Sequence, residues 1–163
     1  MRATNTILAE VIMGKILACC AVVSVAFLAG ADSPEGDAAD KKELKRFSGS
    51  WQAVSAVRDG KEAPKETAAK ITLTVKGEKY TFKIPGGEAI EGTHKLDPSK
   101  KPKEIDAVRS TGKDKGEKIL GIYELTKDTY KVCLAPPGKD RPTEFSSKEG
   151  SGHRLLTFKR AKE

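Results

Sequence analysis

Between residues 71 and 84 the chain changes character at every second position. Ile71, Leu73 and Val75 alternate with Thr72 and Thr74 and stop at Lys76-Gly77. Tyr80, Phe82 and Ile84 alternate with Thr81 and Lys83 and stop at Pro85-Gly86-Gly87. Successive side chains of a strand point to opposite faces, so this alternation makes one apolar and one wet face. The two runs predict a hairpin. The same period recurs along the chain. Trp51, Ala53, Ser55 and Val57 share a face before a turn at Asp59-Gly60, and Ile90, Gly92, His94 and Leu96 share another before Asp97-Pro98. Ile105 and Ala107 mark a weaker strand, residues 119–125 a strong one, and Tyr130, Val132 and Leu134 share a face of the next. Residues 61–69 read as a loop or a single helical turn. A short strand around 143–147 and a last one over 152–160 bring the expected total to eight or nine.

The connections between these runs are too short for the crossovers that parallel strands need. The expected fold is therefore all-β and antiparallel, a meander of eight to nine strands. Closing it into a barrel removes its exposed edges. A short N-terminal helix is expected over residues 41–47, capped by Asp40, with Leu44 and Phe47 on one stripe. A barrel of this size is just wide enough for side chains or one small ligand. The face assignments put Trp51, Leu73, Tyr80, Phe82 and Ile90 inside, with His94, Tyr123, Tyr130 and Val132. These residues can line a site for a small, mostly apolar molecule. The same aromatics can equally fill the interior solid.

The N-terminus has a different composition. Lys15 precedes an unbroken apolar run over residues 16–29, followed by Ala29-Gly30-Ala31 and a polar stretch. This is the pattern of a secretory signal peptide cleaved after Ala31. The run is shorter than the roughly 20 residues of a membrane span. An uncleaved anchor is the alternative. Met13 offers a tidier start than Met1, because Glu10 suits a signal peptide poorly; residues 1–12 then read as a mis-called extension. Residues 16–19 loosely resemble a lipoprotein box, but Cys19 lies near the beginning of the apolar core. Residues 32–40 read as a flexible linker and 41–163 as the folded domain. The expected location is periplasmic or extracellular, with no stable membrane span after cleavage.

Export constrains the chemistry. The whole chain has a net charge of +7; without Arg2, Lys15 and Glu10 it has +6. The lysines are spread along the chain, as on a solvated surface, and Lys100, Lys101 and Lys103 form the densest basic loop. An anionic surface or protein partner is compatible with this charge. Nucleic acid is disfavoured by export. Cleavage also removes Cys19 and Cys20, leaving Cys133 with no intramolecular disulfide partner. Cys133 has no histidine or basic neighbour in sequence to activate it, so a packing role is expected. His94 and His153 show no metal-ligand spacing, and no cofactor is implied. The carboxylates fall on several faces without a pair for acid–base work. No catalytic residue is assigned, and the expectation is a non-enzyme.

Gly49-Ser50-Trp51 opens the first strand after a short helix, and Phe158-Lys159-Arg160 ends the last strand. This G-x-W and terminal arginine resemble the closure of lipocalins. The resemblance implies that Trp51 fills the barrel base and that Arg160 stacks on it. Residues 43–160 further resemble an uncharacterised exported domain family of planctomycete bacteria, itself distantly lipocalin-like. The matching pieces include ELKRFSGSW at 43–51, GTHKLDP at 92–98, KKPKEID at 100–106, GIYEL at 121–125 and the signature LAPPGKDRPTEF at 134–145. The resemblance implies a fold and an exported location but no activity. Within the signature, Pro136 and Pro137 set an extended exit from a strand, Gly138 supplies the bend, and Pro142 keeps Arg141 extended. Phe145 is expected to anchor a returning strand. Arg141 is expected to tether the loop through an acid such as Glu144, or to act as a fixed functional guanidinium. Two functions stand side by side: a lipocalin-like module binding a small apolar ligand, and a solid-core structural or interaction module using its lysine-rich loops.

Overall fold

The computed structural model describes residues 34–162. The proposed signal peptide and its cleavage point lie outside them. Two helices and nine strands follow in the order α1 (Pro34–Phe47), β1 (Gly49–Arg58), β2 (Lys61–Glu62), α2 (Lys65–Ala68), β3 (Thr72–Lys76), β4 (Lys79–Lys83), β5 (Ile90–Asp97), β6 (Lys103–Arg109), β7 (Lys118–Leu125), β8 (Thr129–Leu134) and β9 (Arg154–Arg160). From β3 to β9 each strand pairs antiparallel with the next, and β1 pairs with both β3 and β9. The result is a closed antiparallel barrel of eight strands, with β2 added beside β1. It is the all-β antiparallel barrel that the alternating pattern predicts, and it is consistent with the lipocalin-like architecture that the resemblance implies. Among the described residues no helix is long and apolar enough to cross a membrane.

Four local expectations change. Helix α1 begins at Pro34, so residues 34–40 are helical rather than linker. Proline suits a first helical position, where its missing N–H would have no partner, and Ala38-Ala39 continue the helix cheaply. Residues 143–147 form no strand. They belong to a long connection between β8 and β9 that packs on the outside of the sheet. Residues 61–69 hold both the short β2 and the turn α2. The fourth change is a slip in the pairing of β1 with β9 between Ala53 and Ser55. Trp51 and Ala53 face inward before it; Ala56 and Arg58 do so after it, opposite Leu156 and Arg154. A bulge inserts one residue and so exchanges the faces of everything that follows. Ser55 loses its expected inward place, and Val54 is left exposed.

The base of the barrel is closed by aromatic packing under α1. Trp51 is 1% exposed and donates its indole N–H to the Phe47 carbonyl at 2.9 Å. Phe47 packs on Tyr130 with ring centroids 4.5 Å apart. Cross-strand register places Trp51 between Leu73 and Arg160. The Arg160 guanidinium lies 4.1 Å over the Trp51 ring. It also donates to the carbonyls of Arg46 at 2.7 Å, Lys127 at 2.9 Å and Ser48 at 3.0 Å. One side chain thus ties the last strand to the end of α1 and to the β7–β8 turn. Beside it, Glu43 is buried and accepts from Lys103 at 2.6 Å, Arg46 at 3.0 Å and the Tyr123 hydroxyl at 3.4 Å. Burial, and then the Glu43 carboxylate, push the Tyr123 phenol well above its ordinary range, so it stays a donor.

Candidate functional site

Above this base the barrel is hollow. A cavity of about 640 Å³ runs toward the opposite end. Small-molecule sites typically occupy roughly 300–1,000 Å³. Phe47 and Tyr130 form its floor. Its wall is mainly aliphatic and aromatic: Leu73 from β3, Phe82 from β4, Ile105 and Ala107 from β6, Val132 from β8, Leu156 and Phe158 from β9. Alternation explains the lining, since each strand sends every second residue inward.

Of the nine interior residues expected from sequence, Leu73, Tyr80, Phe82, Ile90, His94, Tyr130 and Val132 line this cavity. Trp51 and Tyr123 do not. They are buried in the closed base, where Trp51 packs on Phe47 and Tyr123 on Tyr130.

His94 is the polar exception deep in the wall. It is 5% exposed, and neither ring nitrogen has a hydrogen-bond partner among the described residues. Its ring meets Phe47 edge-on at 5.1 Å and lies 6.3 Å from Tyr80. Burial lowers its pKa to about 4, so the ring is neutral at physiological pH. A neutral imidazole offers one donor and one acceptor. Buried polar atoms normally find partners, so these two nitrogens are available to a guest or to water within the cavity. Gly92, two residues earlier on the same face, leaves room for Tyr80. A Cβ there would collide with the Tyr80 ring and the Val108 carbonyl.

The far end is lined by Val57, Arg58, Lys61, Glu62, Ile84, Arg109 and Arg154. Arg58 and Ile84 are exposed, so the cavity meets solvent there. None of the three arginines was expected inside. Arg109 follows Ile105 and Ala107 in strict alternation, and Arg154 precedes Leu156 and Phe158 in the same way. Extending those two patterns by one step places them at the mouth. Arg58 was hidden by the bulge.

The signature loop lies elsewhere. Gly138 adopts a left-handed φ of +72°, the bend expected after Pro136-Pro137. Arg141 does not pair with Glu144. It reaches Asp106 at 2.6 Å and Glu104 at 3.1 Å, and donates to the carbonyls of Gly121 at 2.6 Å and Ile105 at 3.0 Å. Glu144 instead pairs with exposed Lys148. Pro142 is buried, and Phe145 sits 4.8 Å beneath the Lys131 ammonium rather than starting a strand. Cys133 is fully buried under this loop, with Sγ 3.2 Å from the Ser146 carbonyl, and burial pushes its thiol pKa up. Lys103, read as part of a free basic loop, is engaged with Glu43. Among the described residues no group of three or more His, Cys, Asp or Glu side chains converges on a metal site.

Comparison with protein-family models, curated proteins and solved structures gave no match.

Proposed function

We propose that this protein is an exported lipocalin-like binding protein that holds a small, mostly apolar molecule inside its barrel. The observation that carries the reading is the cavity of about 640 Å³ with an aliphatic and aromatic wall. Burying an apolar guest there removes its surface from water, worth roughly 25 cal/mol per Å² before the costs of association. His94 is consistent with the reading, because its two unpartnered nitrogens offer a polar contact at depth to a guest or to a water enclosed with it. The hollow interior favours this reading over the solid-core interaction module. The proposal includes non-enzymatic action, export after removal of residues 1–31, and membership of the planctomycete domain family whose signature is LAPPGKDRPTEF.

Native mass spectrometry with apolar probes such as lauryl alcohol tests the reading. A one-to-one adduct is expected, with thermal stabilisation that grows with probe concentration. Linkage gives about 2.7 kcal/mol at a hundred times Kd. Ala107→Phe, which places a ring inside the cavity, should abolish the adduct while leaving the protein folded. An adduct of equal strength in that variant would place binding outside the barrel, and no adduct in either protein would refute the reading.

A further inference from the structure

The charges at the cavity mouth are not arranged as on an ordinary surface. Arg58 and Arg154 are directly paired across β1 and β9, on inward-facing positions. Arg109, the next inward residue after Ala107 on β6, joins them at the rim. Its guanidinium is bonded to Asp114, with only 11% of its side chain exposed. Among the described residues no carboxylate pairs with Arg58 or Arg154. Lys61 adds a fourth cation, and Glu62 and Asp114 are the facing anions. The rim therefore carries two positive charges in excess.

Like charges on paired strand positions repel, and burial adds to the cost. Arg154 registers both. Burial first, then Arg58 and Arg109, push its pKa down, with Asp114 acting in the opposite sense. An arginine cluster with one internal carboxylate, Asp114 on Arg109, and two guanidinium groups left without one matches carboxylate or phosphate oxygens, which guanidinium groups hold in forked hydrogen bonds. The deep end of the cavity has no such capacity, because His94 is neutral and its neighbours are aromatic.

We infer that the mouth is an anion site, and that the ligand is a single-chain amphiphile. Arg58, Arg109 and Arg154 hold its negative head group while its tail fills the apolar cavity. The inference rests on the proposed ligand-binding function and specifies its ligand class. The tail enters first, since every cation lies at the rim. Binding neutralises the repulsion between arginines, so the charged guest relieves a strain that an uncharged guest leaves in place.

Four probes of equal chain length test it below their micellar concentrations: laurate, lauryl phosphate, lauryl alcohol and dodecyltrimethylammonium. Calorimetry on the full-chain protein should show at least one anion binding about tenfold or more tightly than the alcohol, as expected for charge-assisted hydrogen bonds. The cation should bind weakest. The stronger of the two anions identifies the head group. In Arg58→Gln/Arg154→Gln the preference for the anion over the alcohol should drop several-fold, read as the ratio of the two affinities within the same variant. Arg58→Gln alone, at an exposed position, should already narrow the gap and guards against misfolding of the double variant. Equal binding of anions and alcohol by the unaltered protein would overturn the inference and leave the cavity reading standing. So would an anion preference undiminished by loss of the two arginines. Binding of none of the four would remove both.

Discussion

A buried histidine with no partner has a measurable consequence. An unfolded chain protonates His94 near pH 6.5, whereas burial holds the folded pKa at about 4. No charged side chain contributes to that shift, and the ring's aromatic neighbours, Phe47 and Tyr80, carry no charge in this range. The folded state thus refuses a proton that the unfolded state accepts. Stability is complete above about pH 6.5, declines as the pH falls toward 4, and levels off below, a total loss of roughly 3 kcal/mol. Denaturant titrations at neutral and acidic pH should show that loss shrinking in His94→Phe. An identical pH slope in both proteins would mean that His94 is solvated or hydrogen-bonded. Arg160 gives a second test at this scale. Its three carbonyl bonds and its stacking on Trp51 make Arg160→Ala destabilising by about 2 kcal/mol. Arg160→Lys should recover little, because an ammonium lacks the planar fork that reaches three carbonyls while covering a ring.

At the scale of elements, α1 and the β8–β9 connection are fixed to the barrel by charge. Glu43 docks α1 through Lys103 and the Tyr123 hydroxyl. Glu43→Ala leaves both donors unpaired at a partly buried site and should cost about 2 kcal/mol, read from the denaturation midpoint. The signature loop is fastened by Arg141, which crosses from the loop to β6 and β7. Arg141→Ala should cost about 2 kcal/mol. Glu144→Ala should leave the midpoint unchanged, because its pair with Lys148 is on the surface. The reverse ranking would restore the sequence-based pairing of Arg141 with Glu144. That pairing looked natural because the two are three residues apart. The partners actually used are about 35 residues away, and only folding brings them within reach. The bulge in β1 is a failure of the same kind. Nothing in the run Gln52–Ser55 marks which residue is extra, since the slip is fixed by pairing with β9. A period-two reading therefore follows β1 correctly to Ala53 and then places Ser55 inside while missing Ala56 and Arg58.

The whole molecule was legible to the extent that alternation controls it. Period two, tight turns and the positions of Trp51 and Arg160 led to a closed antiparallel barrel and to seven of the residues that line its cavity. Alternation does not say how much space remains between those side chains. That depends on where the aromatics stack, and Trp51 and Tyr123 are drawn into the base with Phe47 and Tyr130, leaving smaller residues such as Ala56 and Ala107 to face the middle. The arginine rim has a separate cause: alternation continued by one step reaches Arg109 and Arg154, but the bulge in β1 conceals Arg58, and only the converging ends of β1, β6 and β9 bring the three together. A barrel emptied in this way is the central claim. Terminally brominated lauryl alcohol, uncharged and so independent of the rim, locates its guest directly by anomalous diffraction from a crystal of the complex. A ligand-holding barrel requires a bromine peak inside the cavity, and tail-first entry places it at the floor, among Phe47, Tyr130 and His94. A peak confined to the outer surface, or an interior closed over by collapsed side chains with no peak at all, would contradict it.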